Sequence, residues 1–454
     1  MSLSDTDQRS GGSRAARKPP GARPWLATQL LARRVHFLAG ILVAPFLLVV
    51  SLTGLIFAFT PQIHDNLYHS TLHVGPHSGA PHPMTDQIRV ALTAHPEDTL
   101  QSVITPPDPD RTTRVVLSEP GGADVQRTVY VNPYTDHITG DMITVDNRLP
   151  ANTWLRKLHS NLQLGTAGRW YAELSASWLP LIAVGGVLIW LAQPRRRMRV
   201  RELFLPSVRG KKGWSWLRAV HGPVGLWLTA GLLAISITGL AMSQFAGGRS
   251  DQSVDPIHLR APTLTTAPVP VPPNAEPIGI DRAVTIAHHE GLTGDLLVTP
   301  PAAPDRPVTV AEMYDGGHDS VAIDPYTAQV TERVSWGDYS LPAKLTALVV
   351  QFHTGSLFGL ANEIILALIA VGTIVLITLG YRMWWIHNPY RGRWPTLSHT
   401  VWRQLTPLPL ILSLLGIAAL ARVLPLFGAS LLSFVVLDGI LVAIKRRPHH
   451  PKAS

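Results

Sequence analysis

The chain repeats itself within its apolar segments. His36-Phe37-Leu38-Ala39-Gly40 opens an apolar run that closes with Val50-Ser51-Leu52-Thr53-Gly54-Leu55. His221-Gly222-Pro223-Val224-Gly225 opens another that closes with Ile235-Ser236-Ile237-Thr238-Gly239-Leu240. The histidines are 185 positions apart (221 − 36), as are the Thr-Gly pairs (239 − 54), so the runs align without a gap. An internal repeat constrains architecture before any local pattern does. Here it also sets a histidine, a metal-ligand type, at matching points of two apolar helices.

Apolar stretches near 37–60, 172–192, 223–246, 361–381, 405–421 and 424–444 each approach the roughly 20 apolar residues needed to cross a bilayer core. The sequence therefore predicts an integral membrane protein with about six spans. The first stretch is too long for the apolar core of a signal peptide, and its partner is internal, so it reads as a retained span.

Net charge is +9. Its placement argues against nucleic acid as the partner and for membrane lipid. Residues 195–218 carry nine Lys/Arg in 24 positions, against eight in the 110 positions of 61–170. Dense basic loops face the cytoplasm. Both termini are then cytoplasmic, and the polar segments 61–170 and 245–360 lie outside the membrane. There are no cysteines, which excludes disulfides, thiolate catalysis and cysteine-ligated clusters. Nineteen histidines remain as metal ligands.

The polar segments repeat as well. Val129-Tyr130-Val131-Asn132-Pro133-Tyr134-Thr135 matches Val321-Ala322-Ile323-Asp324-Pro325-Tyr326-Thr327 at an offset of 192 (321 − 129). Each Asx-Pro-Tyr-Thr reads as a turn between two short β-branched strands, and each follows a candidate helix, near 85–95 and 280–290. Leu158-His159-Ser160 with Gly165 matches Phe352-His353-Thr354 with Gly359 at an offset of 194 (353 − 159), which also aligns Gly186 with Gly380 and Trp190 with Trp384. The unit helix–outside domain–helix is thus present twice. The expected fold is an α-helical integral membrane protein: a duplicated four-helix transmembrane bundle, two small extracytoplasmic α+β domains and a C-terminal helical hairpin.

The expected boundaries run as follows. A disordered basic tail over 1–25 precedes the first span (26–60) and the first outside domain (61–150). A histidine segment with the second span (151–194) leads into a basic cytoplasmic loop (195–218). The third span (219–246), the second outside domain (247–340) and a histidine segment with the fourth span (341–387) repeat that order. A loop (388–404), a hairpin of two spans (405–445) and a basic tail (446–454) complete the chain.

Four histidines occupy repeat-equivalent places. His36 and His221 start the first and third spans at the cytoplasmic side; His159 and His353 precede the second and fourth spans at the outer side. A two-fold axis along the membrane normal puts each pair at one depth. A planar macrocycle on that axis would receive one imidazole from each side, the arrangement that bis-histidine haem requires. The reading is two haems b, ligated by His36 with His221 and by His159 with His353, the levels roughly 25–30 Å apart. Gly40, Gly225, Gly165 and Gly359 are read as making room for a ring or a close helix. Interfacial histidines with small residues serving helix packing are the alternative, and other imidazole-bound metals stay open.

Three further residues are secondary candidates. His64 follows the first span near the outer pair but has no counterpart in the second copy. His387 ends the fourth span, where the counterpart position holds Gln193. Asp438 lies within the sixth span, where an acid is costly; it reads equally as a bundle-facing hydrogen bonder or a proton relay. Ser51-Thr53-Gly54 and Ser236-Thr238-Gly239 are read as bonding back to helix carbonyls or lining a cavity. No dinucleotide fingerprint is present, so no NAD or flavin motif exists, and an electron donor must be a quinol or a cytoplasmic reductase.

These motifs together resemble the PepSY-associated transmembrane family of bacterial iron-regulated membrane proteins, over about 30–390. The carriers are His36 to Gly40 with the Thr53-Gly54 run, its copy at His221, Leu158-His159-Ser160, Phe352-His353-Thr354-Gly355 and the two Asx-Pro-Tyr-Thr turns, which look like PepSY signatures. Where members show Arg-Arg-Pro after paired aromatics, this chain has Ile386-His387-Asn388-Pro389. The resemblance implies an inner-membrane haem oxidoreductase that reduces a ferric siderophore held between two PepSY-like domains. It also implies the alternative of a non-redox scaffold whose PepSY domains bind a peptide, protease or iron chelate. A permease-like role is a third reading.

Overall fold

The computed structural model describes residues 24–106, 108–118, 125–192, 200–243, 260–313, 317–386 and 407–446, with the backbone alone over parts of the first and the last two helices. The helices are α1 (Pro24–Ala58), α2 (Thr60–Leu67), α3 (His69–Leu72), α4 (Met84–Ala94), α5 (Pro150–Asn161), α6 (Gly165–Leu191), α7 (Val200–Phe204) and α8 (Gly213–Ala241). They continue with α9 (Ile280–His289), α10 (Leu341–Thr354), α11 (Leu360–Ile386), α12 (Pro407–Val423) and α13 (Pro425–Arg446).

Among the described residues four helices are long and apolar enough to cross a membrane: Val35–Ala58 of α1, then α6, α8 and α11. The chain is a membrane protein. α1 packs on α6 and α11, and α8 packs on the same two, so the four close a ring. Ala39, Val43, Leu47, Leu179, Leu232 and Ile369 fill its middle. Gly231 and Gly372 let α8 and α11 approach closely, since a Cβ at Gly372 would meet Leu228 and one at Gly231 would meet Ile369. The outward face stays apolar, with Leu368 63% and Trp227 68% exposed. Such a surface is stable only against lipid.

Helices form at the expected fifth and sixth spans as well. α12 has 17 residues, about 26 Å of helix against a bilayer core of about 30 Å. α13 has 22 residues, about 33 Å, with its described apolar stretch at Pro425–Val436. Four of the expected six therefore meet the requirement among the described residues. The hairpin docks on α6: Phe427 is buried against Trp178 and Leu240, and Trp178 Nε1 donates to Ser430 Oγ at 2.9 Å.

The polar segments form one antiparallel sheet of eight strands in the order β4-β3-β2-β1-β5-β6-β7-β8. β1 (Thr99–Ile104), β2 (Thr113–Ser118), β3 (Gln126–Val131) and β4 (Ile138–Thr144) are one meander; β5 (Leu296–Thr299), β6 (Val308–Glu312), β7 (Ser320–Ile323) and β8 (Val330–Val334) are the other. The Asx-Pro-Tyr-Thr turns join β3 to β4 and β7 to β8. Asn132 Oδ1 accepts from Tyr134 N at 2.9 Å, and Asp324 Oδ1 from Tyr326 N at 2.8 Å. Tyr134 donates to Pro109 O and Tyr326 to Pro304 O, at 3.0 and 2.9 Å. Burial raises the Asp324 carboxyl, but the amides of Tyr326 and Thr327 and the Thr327 side chain outweigh it and hold the group below the usual carboxylate range.

The two meanders are not separated by a cleft along the sheet. β1 pairs with β5 at Val103↔Val298 and Ile104↔Leu297. Thr105 N donates to Leu296 O at 3.0 Å and Leu296 N to Thr105 Oγ1 at 2.8 Å. Arg114 bridges to Asp295 at 2.6 Å across the seam. Asp281 at the start of α9 accepts from the amides of Met84 and Thr85, capping α4. An acceptor held between two separate domains has no gap at this seam to occupy.

Candidate functional site

His36 rises from α1 and His221 from α8, on opposite sides of the helix ring. Their ring centroids lie 6.3 Å apart at an interplanar angle of 79°. His36 Nδ1 stands 2.7 Å from Ile182 O of α6. A carbonyl only accepts, so that contact assigns the proton to Nδ1 and leaves Nε2 with a lone pair. His221 lies near the Leu376 main chain of α11, and its buried Nδ1 closes no hydrogen bond. Ile182 and Leu376 are themselves 194 positions apart (376 − 182).

His159 ends α5 and His353 ends α10, both at the sheet end of the ring. Their centroids lie 6.4 Å apart. Thr53 Oγ1 is 3.1 Å from His159 Nδ1, and Thr238 Oγ1 is 2.5 Å from His353 Nδ1. Each hydroxyl donates its proton to a carbonyl one turn back, Val49 and Val50 for Thr53 and Ile235 for Thr238. Each therefore accepts from the imidazole N–H, and Nε2 is again the open nitrogen. The back-bonding reading of the Thr-Gly runs holds at Thr53 and Thr238, and each hydroxyl also touches a histidine.

A glycine lies against every one of the four rings. A Cβ would stand 2.9 Å from His159 Cε1 at Gly54 and 3.3 Å from His353 Cε1 at Gly239. The corresponding distances are 2.9 Å from His36 Cε1 at Gly186 and 3.8 Å from His221 Cε1 at Gly380. The glycines read as making room, Gly40, Gly225, Gly165 and Gly359, touch none of these rings. Gly40, Gly165 and Gly359 have nothing within 4 Å of an added Cβ, and Gly225 meets only Leu376. Gly165 and Gly359 instead take positive φ, 58° and 53°, at the entries to α6 and α11.

The levels are set by α1 and α8, on which Gly54 and Gly239 each follow the histidine by 18 positions (54 − 36, 239 − 221). At 1.5 Å per residue that is about 27 Å.

Of the secondary candidates, His64 lies on α2 beside Tyr68, their rings 6.2 Å apart. Its Nε2 is buried without a hydrogen-bond partner. Burial, against the charge of Asp65, lowers its pKa from the ordinary imidazole value. No second histidine faces His64 as the four face one another among the described residues. His387 and the side chain of Asp438 lie outside the described residues. So do the tails 1–23 and 447–454, the loop 388–404 and Arg195 to Arg199.

No group of three or more His, Asp or Glu among the described residues could by itself hold a metal ion. Each site supplies two facing imidazoles and no further donor. Imidazole nitrogens bind metals at about 2 Å, and two imidazoles sharing one ion head-on would place their centroids about 6 Å apart. Both pairs have that spacing. Residues 33–387 match the family model described as the PepSY-associated TM region. The chain belongs to this family. No curated protein matches it. The match covers all four histidines of the PepSY-associated TM region and both Thr-Gly runs, and ends at His387.

Proposed function

We propose that this chain is a haem-containing membrane oxidoreductase that moves electrons across the plasma membrane to an extracytoplasmic ferric-siderophore-type acceptor. The observation that carries the reading is the pairing of the four repeat-equivalent histidines, with centroids at 6.3 and 6.4 Å and each imidazole laid on a glycine. Two facing imidazoles with no other protein donor would suit the iron of a haem. Held there, a haem b supplies one-electron exchange at its iron.

The chain's own residues do the rest. His36 with His221, and His159 with His353, offer Nε2 at two depths. Ile182 O, Thr53 and Thr238 hold the Nδ1–H tautomer of their histidines, the outer contacts that orient a ligating imidazole and raise its basicity. The glycines give the rings their place against the neighbouring helix. The two copies are related by an axis along the membrane normal, with the basic loops and both termini cytoplasmic and the sheet outside. A quinol or cytoplasmic reductase feeds the His36/His221 level, and the His159/His353 level delivers beneath the sheet.

An absorption spectrum of the reduced, purified protein from haem-replete cells tests this. The expected result is a Soret band with haem b, diminished by about half in His36→Ala and in His353→Ala. A colourless wild-type protein, or variants that keep full haem and full ferric-chelate reduction, would overturn it in favour of a binding scaffold.

A further inference from the structure

The two histidine levels differ in the acceptor given to Nδ1. At the His36/His221 level it is the main chain, and for one ring only: Ile182 O stands 2.7 Å from His36 Nδ1, while His221 Nδ1 closes no hydrogen bond. At the sheet-end level it is a hydroxyl, Thr53 Oγ1 at 3.1 Å from His159 and Thr238 Oγ1 at 2.5 Å from His353.

A ligating imidazole gives more electron density to its metal the more strongly its N–H is drawn to an acceptor, and extra density favours the oxidised metal. An amide carbonyl is a stronger acceptor than a hydroxyl. A hydroxyl already donating to a carbonyl is strengthened as an acceptor, but only in part.

We propose that Thr53 and Thr238 are positioning residues that fix the sheet-end imidazoles in the Nδ1–H tautomer and, as acceptors for those N–H groups, would lower the potential of a haem held there. The proposal rests on the haem reading above.

Thr→Val keeps the shape of the side chain and removes the acceptor; Thr→Ser keeps the acceptor. The full-length holoprotein is titrated spectroelectrochemically, and the sheet-end potential is identified as the one missing in His353→Ala. In Thr53→Val/Thr238→Val the sheet-end potential is expected to rise and its low-spin ferric resonance to shift. The other potential stays in place, and Thr53→Ser/Thr238→Ser restores the wild-type values. Loss of the sheet-end haem from the Val variant with retention in the Ser variant also supports the positioning role. Two bound haems with potentials unmoved by Val assign the proton to the main chain and overturn the proposal. Equal haem loss in the Val and Ser variants overturns it as well. A colourless wild-type protein overturns the haem reading itself, which separates that failure from this one.

Discussion

Gly54 leaves bare the stretch of α1 on which the His159 imidazole lies, so that a Cβ there would stand 2.9 Å from His159 Cε1. The ring cannot simply swing away, because its Nδ1 is tied to Thr53 one residue earlier on the same helix. The same relationship recurs at the other three rings with different clearances, and the clearances rank four substitutions.

Gly54→Ala and Gly186→Ala, both at 2.9 Å, are expected to destabilise by about 2 kcal/mol through overpacking. They displace His159 and His36 respectively. Gly239→Ala, at 3.3 Å, is expected to be milder. Gly380→Ala, at 3.8 Å from His221, adds an ordinary contact and gains about 0.5 kcal/mol from helix propensity. Thermal unfolding of the four variants in detergent checks the order, and haem content checks that the first two lose ligation. A Gly380→Ala variant as unstable as Gly54→Ala would contradict it.

The β1–β5 seam yields the second expectation. Thr105 is buried, and its hydroxyl is the acceptor for the Leu296 amide. Thr105→Val orphans that buried N–H, at a cost of about 2 kcal/mol. Amides at the seam should then exchange with solvent roughly 30-fold faster when opening is local to the pairing. Hydrogen exchange by mass spectrometry on peptides holding Val103 and Val298 reads it directly. Unchanged protection at these strands would show that the meanders do not depend on this pairing.

Much of this architecture is legible in the chain because the repeat supplies each residue with a partner. The pairing of His36 with His221 and of His159 with His353 needs only the offsets and the shared direction of the copies. The turns at Asn132 and Asp324 carry their own chemistry in four residues, and α4 and α9 fall where the sequence places helices. The ring cradles are less accessible. Gly54, Gly186, Gly239 and Gly380 act on histidines of other helices, so no spacing along one helix reveals them, whereas Gly40 stands conspicuously one turn from His36 yet faces open space. The role of Ile182 is carried by a main-chain carbonyl and leaves no side-chain signal. The single sheet hides for a similar reason. Two residue pairs join β1 to β5, and nothing in their apolar side chains distinguishes an edge that pairs from one that does not.

Asp324 gives an expectation in pH. Burial disfavours its charge, but the Tyr326 and Thr327 amides and the Thr327 hydroxyl hold its pKa below the ordinary carboxylate value. A group with a depressed folded pKa contributes stability that is full above its unfolded pKa and lost as pH falls through the folded one. Below about pH 4 the wild-type sheet should therefore weaken. Asp324→Asn keeps an Oδ1 acceptor, as Asn132 does in the other meander. It should cost less than about 1 kcal/mol near neutrality and remove this part of the acid limb. Unfolding midpoints measured across that range check it. An identical acid limb in the Asn variant would assign the loss to other carboxylates.

The hairpin provides the last expectation. Phe427 is 1% exposed, its ring centroid lies 4.9 Å from that of Trp178, and Ser430 accepts from Trp178 Nε1 at 2.9 Å. These contacts attach α12 and α13 to α6 and to Leu240 of α8. Phe427→Ala should cost about 3 kcal/mol of docking and Ser430→Ala about 1 kcal/mol, with the helix ring intact in both. The chain contains no cysteine, so a pair introduced as Leu181→Cys and Leu431→Cys, both at this contact, reports docking without background. Oxidative crosslinking should be efficient in the parent, slower with Ser430→Ala and slowest with Phe427→Ala, while the absorption spectrum stays that of the parent. A spectrum that collapses together with the crosslink would make the hairpin part of the histidine bundle rather than an attachment to it.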